Sequence, residues 1–252
     1  ALATVISQTT ALAWQMWIFS DRRELVHFRQ GIWRLHGGLV MSILAIGASP
    51  FAMNVCACIV VILINTALVH HGGDLAVGAY GIANRIGFLF FMIVMGINQG
   101  MQPIAGYNYG AGLTDRMMTV LRYSIMAGVG VMTVGWIVGI TLSHECARMF
   151  TNDPQLTNMA ARGIMINQIA FPVIGYQAVI TNFFQSIGKA KISILLSLSR
   201  QMIFLVPLLI VLPIYFGVDG VWWSLPASDM LAFIMTLITM TIYMRKLKQN
   251  GQ

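Results

Sequence analysis

Charged residues are scarce in this sequence. Only 9% of its 252 residues are Asp, Glu, Lys or Arg, and 58% are hydrophobic, whereas about a quarter of the residues in a soluble domain are charged. So few charges cannot cover a water-facing surface of this size. The composition therefore excludes a soluble enzyme or a secreted domain and indicates a protein embedded in lipid.

Cysteine is also rare, and the three cysteines do not have the spacing of a disulfide framework or a metal site. Cys56, Cys58 and Cys146 are too few for a disulfide framework. Cys56 and Cys58 would project from different sides of any helix that they share, so a metal site between them is not indicated. Burial of ordinary thiols is the simpler reading.

Enzyme and nucleic-acid signatures are missing as well. His144 and Glu145 begin like a zinc-protease motif, but position 148 is Arg where a second His is needed, which leaves a solvated loop as the expectation. The net charge of +7 comes from Lys and Arg residues in short gaps between apolar runs and not on one polar face. We expect neither an enzyme nor a nucleic-acid partner, and no cofactor.

Long apolar runs fill most of the chain. Because a membrane-spanning helix needs about 20 apolar residues, they predict one partial and six complete spans, and thus an all-α membrane protein with a six-helix bundle. The chain starts at Ala1 inside an uncharged run, which we interpret as the end of a preceding span in a longer protein. The predicted runs are 1–19, 38–69, 75–101, 117–143, 154–186, 192–216 and 221–244.

The basic residues predict the orientation of these spans. Most of the fifteen Lys and Arg residues lie on one side of the seven runs, and Arg148 stands alone on the other. Cytoplasmic loops are enriched in Lys and Arg. We therefore expect residues 38–247 to form the membrane bundle. The polar connection at 20–37, which precedes it in the sequence, and the tail at 248–252, which follows it, are both expected to be cytoplasmic.

Several polar residues lie inside the apolar runs. Amides in spans either hold helices together or line a wet cavity, and their concentration in the third and fifth runs favours a cavity wall. We expect the cavity to take small molecules. The candidates are Asn54, Asn84, Asn98, Gln99, Gln102, Asn167, Gln168, Tyr176, Gln177 and Asn182.

Two ionisable residues lie deep inside spans. Arg85 and Asp229 are each about ten residues from the outer end of their run, so their similar depth predicts that they pair across the bundle. Handling of substrate or protons is the alternative role for such residues. Arg200 lies nearer the cytoplasmic end and is expected to extend to the interface or bind a helix terminus.

Proline and glycine predict bends and close helix contacts. Bends are expected at Pro50, Pro103, Pro172 and Gly175. The glycine-rich stretch 106–112 after Pro103 is expected to end its helix, and Asp153 before Pro154 is expected to cap the next one. The pairs Gly96–Gly100 and Gly135–Gly139 predict close backbone approach between helices.

Six strings along the chain together resemble the multidrug and toxic compound extrusion (MATE) family of secondary transporters. Their order and spacing agree with the family across essentially the whole chain. They are ALATVISQ at 1–8, GASPF at 47–51, AYGIANRI at 79–86, GINQGMQPIAGYNYGAG at 96–112, FQSIGKA at 184–190 and FGVDGVW at 216–222.

The resemblance implies a two-lobed, twelve-span architecture, of which this chain would be the end of span six and the C-terminal lobe. It further implies residence in a plasma membrane, such as a bacterial inner membrane, with contacts to lipids and to an N-terminal lobe. The implied activity is export of organic cations or amphipathic drugs by proton- or sodium-coupled antiport with alternating access. A flippase for lipid-linked precursors and a non-transporting membrane scaffold are the alternatives.

The sequence departs from the family pattern at one point. Some members carry carboxylates in the spans that correspond to 38–69 and 154–186, where this chain has amides, Asn54, Asn167, Gln168 and Gln177. The resemblance therefore implies that an acid that couples transport to H+ or Na+ lies in the N-terminal lobe.

Overall fold

The computed structural model of the protein describes residues 2–20 and 37–250. The cytoplasmic connection predicted at 20–37 lies almost wholly outside these residues, and so does the end of the predicted tail at 248–252. Within the described part the chain is helical and contains no strand. This confirms the predicted all-α class.

Eight α-helices and one π-helical segment make up the described part. The π-helical segment Ser199–Leu205 joins the last two α-helices. The α-helices are α1 Leu2–Ser20, α2 Gly37–Gly110, α3 Thr114–Thr141, α4 Ser143–Arg148, α5 Pro154–Gln168, α6 Phe171–Ser186, α7 Ala190–Leu198 and α8 Val206–Asn250.

The chain divides into two compact units, each with its own internal contacts. The first, Ala1–Ser49, holds α1 and the beginning of α2. The second, Pro50–Gln252, holds the remainder of α2 and every later helix. All side-chain contacts discussed below lie within the second unit.

Two glycines divide the two longest helices. Gly73 (φ 65°, ψ −165°) interrupts α2, and Gly217 (φ 55°, ψ −133°) interrupts α8. Both have positive φ, which residues with a Cβ rarely adopt. The turns predicted near His70–Asp74 and at Gly217–Gly220 are therefore present, each reduced to a single break in an otherwise helical run.

Three stretches in the described part are long and apolar enough to cross a membrane: Asn54–Gly110, Thr114–Thr141 and Ala190–Leu247. The bent pair α5 and α6 qualifies as a fourth span if it is counted as one. Since Gly73 and Gly217 each divide one stretch into parts of roughly 20 residues or more, the four become six. The predicted six-helix bundle is consistent with this arrangement.

The bend between α5 and α6 agrees with the bend predicted in the fifth run. The two helices meet at 52° across Ile169 and Ala170. Pro172 lies in the first turn of α6, where a missing N–H costs no helical hydrogen bond. Asp153 caps α5 as predicted, because its side chain accepts a hydrogen bond from the backbone N–H of Gln155 at 3.0 Å.

The glycine-rich stretch 106–112 ends its helix as predicted, but only after the helix has continued through its first glycine. Helix α2 continues through Pro103 and ends only at Gly110. Proline is tolerated in membrane helices when neighbouring helices support the backbone. Helix α6 is such a neighbour. It approaches α2 at Gly106, where a Cβ would lie 3.0 Å from the carbonyl oxygen of Ser186. The apparent helix breaker is thus a site of close helix packing.

Only one of the two predicted glycine pairs packs closely. Gly135 lies against Phe90 and Phe171, and Gly139 lies against the side chain of Gln168. By contrast, a Cβ at Gly96 or Gly100 would meet nothing within 4 Å among the described residues, so the close approach predicted for this pair is not found there. Spacing alone does not say which side of a helix faces a neighbour.

Large apolar side chains cover much of the surface. Phe88 and Ile210 are 56% and 55% exposed, as are many other aliphatic residues along the three apolar stretches. In water such an expanse of apolar surface is unfavourable by roughly 25 cal/mol per Å². Lipid removes that cost, which agrees with an integral membrane protein.

Candidate functional site

A cavity of about 300 Å³ opens among the helices of the second unit. Both parts of α2, α3, α5, α6, the π-helical segment and α8 contribute to its wall. Its polar lining consists of Tyr80, Asn84, Asn167, Arg200, Gln201 and Asp229. Its apolar lining includes Ile64, Phe88, Phe91, Met132, Phe171, Ile174 and Leu205.

An ion pair occupies the polar part of this cavity. The Nε of Arg200 donates a hydrogen bond to Oδ1 of Asp229 at 2.6 Å. The side chain of Asp229 is 5% exposed, whereas that of Arg200 is 36% exposed. A single carboxylate or guanidinium in an apolar interior is costly, and pairing offsets part of that cost.

The expected partnership between Arg85 and Asp229 is wrong. Asp229 pairs with Arg200, and within the described part of the chain Arg85 is exposed and has no carboxylate at ion-pair distance. Arg200 accordingly does not extend to the interface as the sequence suggests. Depth in the membrane limits the possible partners, but the rotation of each helix about its axis selects among them.

The π-helical segment accounts for part of this selection. Arg200 and Gln201 are consecutive residues, and both line the cavity. Consecutive side chains in an α-helix diverge by about 100°, and π-helical turns are frequent at functional sites. Both polar side chains therefore reach one cavity from a single turn.

Of the predicted cavity residues, the structure brings together Asn84 and Asn167, and Asp229, which was predicted only as an intramembrane charge, lies in the same cavity. Asn84 lies on α2, Asn167 on α5 and Asp229 on α8. Sequence reasoning missed Gln201 and Tyr80, and it assigned Arg200 a different role. The signal for Gln201 was weak, because one glutamine beside an arginine in an apolar run has no distinctive spacing.

Gln102 and Asn182 lie elsewhere and join two helices. The amide Nε2 of Gln102 donates to Oδ1 of Asn182 at 3.0 Å, which links α2 to α6. Asn182 also donates from Nδ2 to the backbone carbonyl of Ala178. This pair fits the alternative in which amides hold helices together.

The other predicted amides are distributed between the packed interior and the surface. Asn98, Gln168 and Gln177 are buried, and each has at least one side-chain polar atom without a hydrogen-bond partner in the described part. Gln99 and Asn54 are exposed. Tyr176 packs edge-on against Phe233, with ring centroids 5.4 Å apart.

The predicted bend residues differ in what they do. Gly175 is not the bend itself but a contact point, since a Cβ there would lie 2.7 Å from the carbonyl oxygen of Gly128 in α3. Pro50 and Pro103 both lie within α2. A hinge role for these prolines stays a prediction.

The stretch that begins like a protease motif forms a short helix and not the expected loop. Helix α4 holds His144, Glu145 and Cys146, and Arg148 Nη1 contacts Glu145 Oε1 at 3.3 Å. Burial raises the pKa of the Cys146 thiol, and the neighbouring Glu145 carboxylate raises it further. Cys146 is thus a weakly reactive thiol in a connection between spans.

A bundle of apolar helices around a polar and aromatic cavity is consistent with a membrane transport protein. The MatE family model matches residues 50–211. The chain belongs to this family, as the resemblance in its sequence strings predicts.

Curated relatives agree with the family match. The chain is 25% identical over 239 residues to the multidrug export protein MepA of Staphylococcus aureus (strain MSSA476), covering 94% of this chain and 52% of MepA. It is 26% identical over 243 residues to MepA of Staphylococcus haemolyticus (strain JCSC1435), covering 96% and 53%. The chain therefore spans about half the length of the curated relatives that it matches.

Solved structures show the same fold. The MATE multidrug transporter DinF-BH, solved in complex with a ligand, has a TM-score of 0.78 and 33% identity, covering 95% of this chain and 54% of DinF-BH. An inward-facing MATE transporter of the MOP superfamily reaches a TM-score of 0.86 at 19% identity. The match covers 100% of this chain and 58% of the chain of that transporter.

Proposed function

We propose that this chain forms the C-terminal lobe of a secondary transporter that exports organic cations and amphipathic drugs. The observation that carries the proposal is a cavity with polar amides, aromatic rings and one ion pair inside a bundle of the MatE family. Relatives named as multidrug export proteins support the substrate class.

The proposed mechanism is alternating access between this lobe and an N-terminal lobe of the same protein. The 38–247 bundle moves as one wall of a central passage, with the 20–37 connection and the C-terminus in the cytoplasm. Inward movement of H+ or Na+ drives export. Because Asp229 is engaged by Arg200, we assign the coupling acid to the N-terminal lobe.

Each part of the cavity contributes a different interaction to substrate binding. Phe88, Phe91 and Phe171 offer ring faces to apolar or cationic groups. Asn84 and Asn167 offer amide donors and acceptors that can satisfy varied polar groups. Such a mixture suits ligands of differing chemistry, because no single strong contact dictates the fit.

Transport by the full-length protein in liposomes tests this function. With a proton or sodium gradient imposed, a fluorescent organic cation should move against its concentration, and an ionophore that collapses the gradient should stop it. Replacing Asn84 and Asn167 by Leu should lower the rate about tenfold or more, since each lost hydrogen bond costs about 1 kcal/mol or more.

Gln99→Leu is the matched control, because Gln99 is an exposed amide outside the cavity. It should transport at the parent rate. If no member of a broad cation panel moves with either gradient, drug export is wrong. If Gln99→Leu reduces transport as much as the double cavity variant, the cavity is not the substrate site.

A further inference from the structure

The charge that the cavity offers to a ligand is cationic. Asp229 is the only acid among the lining residues, and its side chain is almost completely covered, whereas about a third of the Arg200 side chain remains accessible. A ligand entering the cavity therefore meets the guanidinium before the carboxylate.

The guanidinium also has hydrogen-bonding capacity left over. Arginine carries five N–H donors, and Arg200 contacts Asp229 through Nε alone. Within the described part of the chain, its two Nη groups have no hydrogen-bond acceptor. Paired N–H groups in one plane match the two oxygens of a carboxylate or a phosphate.

A second unsatisfied group lies beside the first. The Oε1 atom of Gln201 is buried and has no hydrogen-bond partner in the described residues, although its side chain lines the same cavity. Buried polar atoms without a partner are uncommon, so such an atom needs an explanation. Rotation of the Gln201 side-chain amide would turn this oxygen into the cavity, where a ligand amine or hydroxyl would satisfy it.

We propose that this cavity binds an oxyanion-bearing amphipathic compound, with the oxyanion on the Nη groups of Arg200 and the apolar body against Phe88, Phe91 and Phe171. Zwitterionic aromatic carboxylates fit best, because their amine or hydroxyl also satisfies Gln201 after this rotation. An anionic lipid headgroup offers the same chemistry. This adds oxyanion-bearing compounds to the organic cations of the proposed function, as the tighter ligands of the same cavity, and it rests on that function for its physiological meaning.

Binding can be measured at equilibrium without any gradient. The full-length protein in phosphatidylcholine nanodiscs is titrated with 4-fluorobenzoate, 4-fluorobenzyl alcohol and 4-fluorobenzylamine, and binding is followed by fluorine NMR. The benzoate should bind about tenfold or more tightly than the alcohol, because a hydrogen bond to a charged group contributes about 1.5–3 kcal/mol. The amine should bind most weakly.

Variants then locate the oxyanion contact. Asp229→Asn should tighten benzoate binding severalfold, since it releases the guanidinium from its internal acceptor. The double variant R200Q/D229N keeps the cavity uncharged, avoids an unpaired buried carboxylate and should bind benzoate no better than the alcohol. Arg162→Gln is the control, because it removes an arginine from the exposed Arg162–Asp219 pair outside the cavity.

Preferential binding of the amine, or a benzoate preference that survives in R200Q/D229N, would overturn the proposal. Nanodiscs containing phosphatidylglycerol separate the two oxyanion sources. If the lipid displaces the benzoate, the headgroup is the oxyanion; if the benzoate remains bound, it is a small molecule. A failure of gradient-driven efflux would not affect these binding results, so the two proposals fail separately.

Discussion

The Arg200–Asp229 ion pair supplies both charged side chains of the cavity in the second unit. Removing one partner of a buried pair leaves an uncompensated charge and costs about 3–5 kcal/mol, whereas replacing both can be nearly neutral. The pair also connects the π-helical segment to α8. Its loss should therefore affect stability as well as ligand binding.

We expect Arg200→Ala, which leaves the buried Asp229 carboxylate without its partner, to lower the free energy of unfolding by several kcal/mol, whereas R200Q/D229N should lower it by about 1 kcal/mol or less. SDS titration of the purified protein in mixed micelles, followed by tryptophan fluorescence, measures both. Arg85→Gln serves as the comparison, because Arg85 is exposed and should change stability little. Additive losses from the Arg200 and Asp229 replacements would contradict a coupled pair.

Helix contact in this bundle depends on a few glycines. Gly175 on α6 and Gly128 on α3 approach so closely that a Cβ on Gly175 would lie 2.7 Å from the carbonyl oxygen of Gly128. At Gly163 the side chain of Trp222 occupies the corresponding space, which joins α5 to α8. In a membrane, where apolar helices gain little from leaving lipid, such backbone packing is a main source of association.

Gly175→Ala should destabilise the protein by about 1–3 kcal/mol, the usual cost of overpacking a tight contact. The Cβ would lie 2.7 Å from the Gly128 carbonyl oxygen, and a backbone atom cannot move aside cheaply. Gly96→Ala should be neutral or slightly stabilising, because its Cβ meets open space and alanine favours a helix. SDS unfolding measures the free energy of unfolding of both variants. Equal losses in Gly175→Ala and Gly96→Ala would refute the packing argument.

The contact between Gln168 and Gly139 shows how two helices can be close and still polar. Gln168 on α5 lies against α3 at Gly139, and its amide atoms find no partner in the described residues. The absence of a side chain at Gly139 leaves just enough room for the glutamine. Element packing here is decided by small residues opposite large ones and not by hydrophobicity.

At the scale of the whole molecule, the order of the spans predicts on which side of the membrane each connection lies. The predicted orientation places α4, between the fourth and fifth predicted runs, outside the cytoplasm. Cys146 on α4 is a native probe of this, because Cys56 and Cys58 lie within a candidate span. An impermeant maleimide should label Cys146 in intact cells of a C56A/C58A strain. Labelling only after permeabilisation would reverse the orientation.

The same thiol predicts a pH dependence. Because burial and then Glu145 raise the pKa of Cys146, less reactive thiolate is present at neutral pH than for an ordinary thiol of pKa about 8.5. Labelling should be slow at pH 7 and accelerate as the pH rises above that ordinary value. Glu145→Gln should speed it modestly. The double variant His144→Cys/Cys146→Ala moves the thiol to an exposed position and should be labelled faster than the parent Cys146. If the two labelling rates are equal, the raised pKa of Cys146 is contradicted.

Properties that depend on local composition were predictable from the sequence. The helical membrane class, the six strings typical of the family, the cap at Asp153 and the breaks near Gly73 and Gly217 all follow from residues close together in the chain. Hydropathy and turn chemistry act within a few residues. Their outcome therefore hardly depends on how the helices pack.

Relations between helices were decided only by the tertiary structure. The sequence could place Arg85, Arg200 and Asp229 at depths in the membrane, but not show which two face each other. Likewise, α2 continues through Pro103 with α6 packed beside Gly106, and a Cβ at Gly96 would meet nothing among the described residues, whereas one at Gly135 would meet two phenylalanines. Each outcome depends on the rotation of a helix about its axis, which packing against distant residues determines.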